Sequence, residues 1–238
     1  MLLLISFDAF AGGSVEGTLS VKRDRKSAFV KNALVYIRGY ATAPSKEPAT
    51  MAQTGRAFDK VVLPVVKRGT VRFTNEEPLE NIYHHVFSPG PKTKFSSGKY
   101  RPIPRDKPYL TEPLTSEGPV TVFCDIHKEM ISTVYVVPND RFTLLSTAEG
   151  DSAHFKIDGI QPGSWTIVAW HRSAEKSTDL PIEIKEGQTT QMDLVIEGAS
   201  GVEQLLLNHK RREAGSYGPL KSDGGSPGEA VGLEDKWK

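Results

Sequence analysis

Between residues 14 and 198 the apolar residues come in short runs, and none sustains a helical repeat. Strand side chains alternate between two faces with a period of two, whereas a helical stripe needs a period near 3.6. Runs at 14–21, 33–38, 50–53, 61–66, 70–75, 84–87, 118–124 and 132–137 are rich in Val, Ile, Thr, Tyr and Phe. A second set follows at 142–146, 154–157, 165–170, 180–184 and 189–196. Gly 21 and Pro 16 supply the punctuation between them, as at Gln161-Pro162-Gly163. This pattern predicts an all-β chain of short strands. A helical pattern emerges only at 202–212, ending in the basic run His209-Lys210-Arg211-Arg212, and the Gly-, Ser- and Pro-rich tail beyond it reads as disordered.

A chain of 238 residues has room for one or two domains with cores of their own. Lys+Arg 30 against Asp+Glu 29 leaves a net charge of +1, so nothing in the overall charge points to nucleic acid. Residues 1–11 end in the small-x-small pattern Ala9-Phe10-Ala11 but lack a basic start, and Asp8 interrupts the apolar run. They read as the remnant of an export signal, which places the protein in the periplasm. No stretch approaches the roughly 20 apolar residues of a membrane span.

The chain has a single cysteine, and its surroundings are informative: Cys124-Asp125-Ile126-His127-Lys128-Glu129-Met130. A lone thiol in an exported protein is prone to oxidation and cross-linking, and burial under a metal removes that liability. His127 and Met130 follow on the same short loop, and the pair His84-His85 lies forty residues upstream. One thiolate, two imidazoles and a weak thioether make the trigonal His2Cys centre with a long axial Met that suits copper. Zinc prefers four strong tetrahedral ligands and is poorly served by this set. From the residues alone either member of the histidine pair is a candidate, since strand neighbours point to opposite faces.

The pieces Met51-Ala52-Gln53, Val62-Leu63-Pro64-Val65, Gly69-Thr70-Val71-Arg72-Phe73-Thr74-Asn75, His84-His85-Val86-Phe87-Ser88 and Phe123 to Met130 resemble a cupredoxin, in cupredoxin order. The Cys-x2-His-x2-Met loop is the short form found in amicyanin, and the whole chain is similar to the methylamine-utilisation-type periplasmic proteins. Further pieces resemble a carboxypeptidase-regulatory-like (transthyretin-like) sandwich: Gly12-Gly13-Ser14-Val15-Glu16-Gly17, Asn32-Ala33-Leu34-Val35-Tyr36-Ile37, and the stretch from Phe155 to Trp165. The resemblance implies a Greek-key cupredoxin β-sandwich plus a second small β-sandwich. The expected layout is an export remnant at 1–11, strands completing the second sandwich at 12–40, the cupredoxin-like domain at 41–137, the second sandwich at 138–198, and a short helix and disordered tail at 199–238. Two consecutive domains are the simpler arrangement.

The resemblance also implies one type 1 copper ion held by His84, Cys124 and His127, with Met130 axial. His85 stands where the family carries Asn, and it is expected to brace the site by bonding to Asp125 or its neighbouring backbone. The function implied is a blue copper protein carrying single electrons to a redox partner such as a cytochrome or periplasmic oxidoreductase. The alternatives are a copper carrier or tolerance protein without a redox partner, and a metal-free binding sandwich. No Ser-His-Asp set, paired carboxylates or open metal site argues for an enzyme. Lys92, Lys94, Lys99, Arg101, Arg105 and Lys107 either steer an acidic partner or simply solvate a loop. His154 and His171 read as packing or strand-end residues, and Trp165 and Trp170 fall on opposite faces of one strand.

Overall fold

The computed structural model describes residues 12–23, 26–28, 30–79, 81–97, 107–174 and 176–198. The export remnant, the helix expected at 202–212, the tail, and Lys99, Arg101 and Arg105 lie outside the described residues. The described residues are all-β, with no helix among them, so none that could cross a membrane. They fall into two compact units: the residues up to Thr42 together with those from Pro138 onward, and Ala43–Val137.

The first unit opens with β1 (Gly13–Arg23), β2 (Lys26–Ala28) and β3 (Leu34–Arg38). The second contains β4 (Ala49–Thr54), β5 (Ala57–Phe58), β6 (Val62–Val66), β7 (Val71–Asn75), β8 (Val86–Ser88), β9 (Phe95–Ser96), β10 (Tyr109–Leu110), β11 (Gly118–Cys124) and β12 (Ile131–Val137). The chain then returns to the first unit with β13 (Phe142–Leu144), β14 (Ser152–Ile160), β15 (Gly163–Trp170), β16 (Thr178–Ile184), β17 (Thr189–Gln191) and β18 (Leu194–Gly198).

In the first unit β1 pairs antiparallel with β14 and parallel with β17 and β18, while β3 lies between β13 and β15, with β16 at the edge beyond β15. Strands from both ends of the described chain therefore share each sheet. Alternate residues of the two sheets meet in one core containing Val15, Leu19, Val35, Ile37, Phe155, Ile157, Ile167 and Ile196. Trp165 packs partly buried against this core and covers Gly39, whose φ of +130° suits only a residue without a side chain there.

The second unit is also a two-sheet sandwich, consistent with the cupredoxin-like fold that the resemblance implies. One sheet runs β10-β7-β4-β5 and the other β6-β12-β11-β8-β9. Met51, Val71 and Phe73 of the first meet Leu63, Val86, Val120, Val122, Val134 and Val136 of the second. Each such side chain, fully removed from water, contributes about 1.5–3 kcal/mol before the entropic cost of ordering it. Phe73 sits at the centre of an aromatic group, with ring centroids 5.8 Å from Phe95, 6.3 Å from Tyr109 and 6.4 Å from Phe58. The loop that carries Lys92 and Lys94 includes a short strand, β9, whose Phe95 is drawn in by this aromatic packing.

The core explains where the site forms. Along β11, Val120 and Val122 face inward, and Cys124 is the next residue of the same parity at the strand's end. Cys124 is paired across the sheet with Val86, itself a core residue. Two residues before Val86, on the same parity, comes His84. Period-two alternation therefore carries the thiol and one imidazole to the same end of the same core.

Candidate metal centre

His84 lies on the approach to β8, at the end of a loop that is tied down at both ends. Asn75 donates from Nδ2 to the Ile82 carbonyl at 2.9 Å and accepts the Glu77 N–H at Oδ1 at 3.0 Å. The Glu76 N–H bonds the Gln53 carbonyl at 2.8 Å. These bonds tie both ends of a largely exposed loop to the sheet, at the buried Asn75, Glu77 and Ile82.

Residues 125–130 form the second loop of the site. Met130 closes it: its N–H donates to the His127 carbonyl at 3.0 Å, and its carbonyl accepts the Cys124 N–H at 3.2 Å. The His127 N–H points back at Cys124 Sγ, 3.4 Å away. The Asp125 N–H donates to the His85 carbonyl at 3.0 Å, so the two segments of the site are joined through backbone.

Three donor atoms converge between these loops. Cys124 Sγ is 3.9 Å from Nδ1 of His84 and 3.9 Å from Nδ1 of His127, and the two Nδ1 atoms are 3.1 Å apart. His84 and Cys124 are buried and His127 is half-buried. The triangle is the right size for one small ion. In its plane, a point about 2.1 Å from each nitrogen lies about 2.2 Å from the sulfur, close to the metal–imidazole and metal–thiolate lengths of about 2.0–2.1 and 2.3 Å. The donor set fits a metal ion by both size and chemistry.

The protonation tendencies agree with ligand roles. Burial pushes the His84 and His127 imidazoles down, and for His127 the nearby His84 adds to the effect. Both rings are therefore held toward the neutral form that metals require. Burial pushes the Cys124 thiol up, against backbone N–H groups of His127, His85 and Ile126 that pull it down. A cation beside the sulfur is what would favour its thiolate.

Glu77 is the residue that sequence reasoning missed. It sits in the acidic-looking turn Glu76-Glu77-Pro78, yet it is only 3% exposed. Its Oε1 accepts the His84 Nε2–H at 2.9 Å and the Arg56 N–H at 2.7 Å, and its Oε2 accepts the Gly55 N–H at 3.0 Å. Burial alone would raise this carboxyl, but the three N–H donors outweigh it and hold it below its ordinary range. Gly55 and Arg56 have φ of +59° and +57°, the two-residue turn that joins β4 to β5 and aims both amides the same way. A signal was present: Val71, Phe73 and Asn75 alternate inward along β7, and the same parity continues to Glu77.

His85 points elsewhere. Its Nε2 lies 2.7 Å from Ser96 Oγ and its ring stacks near Phe87, with centroids 5.7 Å apart. Its Nδ1 is 3.5 Å from Asp125 Oδ2, an ion-pair contact without hydrogen-bond geometry. The expected brace from His85 to Asp125 or its neighbouring backbone is thus represented by the Asp125 N–H on the His85 carbonyl, while the ring itself bonds Ser96 on β9. Met130 is buried at the base of the loop. His171 bonds Ser173 and the Lys31 carbonyl, His154 is exposed, and Trp170 is half-buried.

No protein-family model and no curated protein matches this sequence. Solved structures do match. A point mutant of amicyanin, in its reduced Cu(I) form at pH 4, is 17% identical over 43% of this chain and 98% of its own, with a TM-score of 0.33. A second amicyanin mutant, also Cu(I), is 16% identical over the same shares, with a TM-score of 0.33. The copper-containing nitrite reductase of Thermus scotoductus SA-01 is 20% identical over 49% of this chain and 28% of its own, with a TM-score of 0.34.

Proposed function

We propose that the second unit is a type 1 copper domain that carries single electrons. The observation that supports this most directly is the triangle of Cys124 Sγ, His84 Nδ1 and His127 Nδ1, sized for one ion and built from two separate segments. A single thiolate with two imidazoles is the donor set of blue copper, and the buried Met130 at the close of the loop is the axial candidate. Copper in such a set exchanges one electron between Cu(II) and Cu(I).

The protein's part is to hold the donors still. His84 is fixed by a buried carboxylate, and Cys124 ends a strand in the core. His127 is anchored by the Met130 N–H on its carbonyl and by its own N–H on the sulfur. A frame of this kind changes little between oxidation states, which keeps the reorganisation of electron transfer small. His127 is the less buried imidazole and is flanked by exposed Lys128 and Glu129, so the electron enters and leaves past its ring. The exposed Lys92, Lys94 and Lys107 favour an acidic redox partner, such as a cytochrome or a periplasmic oxidoreductase. This reading places the protein in the periplasm and gives it no substrate of its own. We also propose that the first unit, whose strands flank the copper domain in sequence, is a binding or attachment sandwich.

The test is to add Cu(II) to purified metal-free protein. One equivalent bound with an intense visible thiolate-to-copper band, bleached and restored by one-electron reductant and oxidant, is the expected result. Tight Cu(I) binding with no coloured Cu(II) form would indicate a copper carrier instead.

A further inference from the structure

We propose that the first unit holds a binding site for a ligand carboxylate, in a cavity lined by the segment after β3 and the turn between β14 and β15, with Arg141 meeting the negative charge. The cavity measures about 630 Å³, within the roughly 300–1,000 Å³ typical of small-molecule sites, and its lining includes Tyr40, Thr42, Arg141, Gly159, Gln161 and Pro162. A surplus of donors sets it apart. Among the described residues Arg141 has one ionic partner, Asp140, which approaches Nε at 3.7 Å and leaves both terminal nitrogens unpaired. The Tyr40 hydroxyl is buried without a hydrogen-bond partner. Burial pushes this phenol up, against the opposing charge of Arg141, so it keeps its proton as a donor. Thr42 Oγ1 accepts the Asp140 N–H at 3.0 Å, which leaves its own O–H to give. The exposed Gln161 adds the N–H pair of its amide. A carboxylate is an acceptor only, and a guanidinium fork meets it with two parallel bonds. A neutral polyol would leave the guanidinium unanswered, and one guanidinium matches a carboxylate better than a doubly charged phosphate.

The donors are held in place before a ligand arrives. Asn139, fully buried, ties their backbones together. Its Nδ2 donates to the Ile37 and Tyr40 carbonyls, both at 2.9 Å, and its Oδ1 accepts the Arg141 N–H at 3.0 Å. The Thr42 N–H bonds the Pro138 carbonyl at 3.3 Å. The Tyr40 ring packs on Trp165, with centroids 4.7 Å apart, and Trp165 donates from Nε1 to the Gln161 carbonyl at 2.7 Å, so one indole steadies two walls. Gly159, with φ of +66°, lies against Arg141: a Cβ there would stand 3.5 Å from the guanidinium carbon. A frame ordered in advance lowers the entropic cost of binding. The cavity is larger than a carboxylate alone needs, so the ligand carries more than that group, as the C-terminal end of a peptide or a small organic acid does. The site uses no residue of the metal centre; it deepens the binding role proposed above for the first unit and is independent of the copper reading.

The test uses the full chain, metal-free and nitrogen-labelled, observed by proton–nitrogen NMR. N-acetyl-dialanine, its C-terminal amide, propionate and inorganic phosphate are titrated in separately. The peptide acid should shift the backbone amides of Tyr40, Thr42, Arg141 and Gln161 saturably. Its amide should bind at least about tenfold more weakly, the loss expected when a hydrogen bond to a charged group goes. Arg141→Gln should weaken the acid by about the same factor, and Tyr40→Phe, which keeps the ring on Trp165, by a smaller one. Spectra of both variants that overlay the wild type away from the cavity show that the fold is intact. Propionate binding as tightly as the peptide acid would make a small organic acid the ligand, and propionate without effect would make it a chain end; both support a carboxylate site. Equal binding of acid and amide, tighter binding of phosphate, an unchanged affinity in Arg141→Gln, or no saturable shift with any acid overturns the inference. The thiolate-to-copper band tests the metal reading separately, so the two can fail independently.

Discussion

The Nδ1 atoms of His84 and His127 face each other at 3.1 Å. Glu77 takes the other ring proton of His84, so His84 presents a lone pair toward His127. An ion held between the rings would need both Nδ1 atoms unprotonated. The site is therefore arranged so that ion and proton compete for one space.

That competition has a measurable consequence. Two neutral imidazoles bind an ion without releasing a proton, whereas the Cys124 thiol, which burial pushes up, must give up its own. Copper affinity should rise with pH, by about tenfold per unit for each proton released, until the thiol ionises unaided. Chelator-competition titrations at a series of pH values check this, and a flat profile would contradict the arrangement described.

The stability of the metal-free protein should fall on acidification. The His84 and His127 imidazoles are held below their ordinary range, so the unfolded chain takes up protons first. Their contribution is fully present above about pH 6.5, the unperturbed histidine value, and is lost as pH falls toward the folded values. Glu77, also held low, adds a loss in the same direction at lower pH. Cys124 is shifted up, so its contribution is present below its unfolded value of about 8.5 and is lost as pH rises through the folded one. Denaturant unfolding of the metal-free protein as a function of pH should show both limbs, and copper loading should raise stability most at neutral pH and steepen the acid limb, since affinity falls on acidification.

The two neighbouring histidines should behave differently. His84→Ala removes a corner of the donor triangle and should abolish the visible copper band. His85→Asn removes a ring bonded to Ser96 and near Asp125, and should keep the band while shifting the reduction potential. Spectra and potentiometry of the two variants check this. An intact band in His84→Ala would move the ligand role elsewhere.

Phe73 is fully buried between Phe58, Phe95 and Tyr109 in the core beneath the site. Phe73→Ala should destabilise the second unit by about 3–5 kcal/mol, the range for an aromatic removed from a packed interior. Chemical denaturation followed by aromatic fluorescence measures it.

The all-β fold was legible because each sheet has one buried face, which writes alternation into the chain. Val120 and Val122 on β11, and Val134 and Val136 on β12, carry that signature plainly. The spacing of Cys124, His127 and Met130 was legible because a single short loop holds all three. Glu77 was not, since two adjacent glutamates before a proline look like any solvated turn. What draws Glu77 inward is the pair of amides at Gly55 and Arg56, twenty-two and twenty-one residues away in sequence. No local pattern announces such a partner, although the inward parity of β7 pointed toward it. The bond from His85 to Ser96 was hidden for the same reason: β9 lies in a stretch whose prolines and glycines read as loop.

The central claim is that Cys124, His84 and His127 enclose one redox ion in a frame that hardly moves. X-ray absorption of the copper-loaded protein, recorded in both oxidation states, tests it most directly. The account predicts one short copper–sulfur and two copper–imidazole distances that stay nearly constant on reduction. A first shell without sulfur, or one that gains or loses a ligand when the electron arrives, would contradict it.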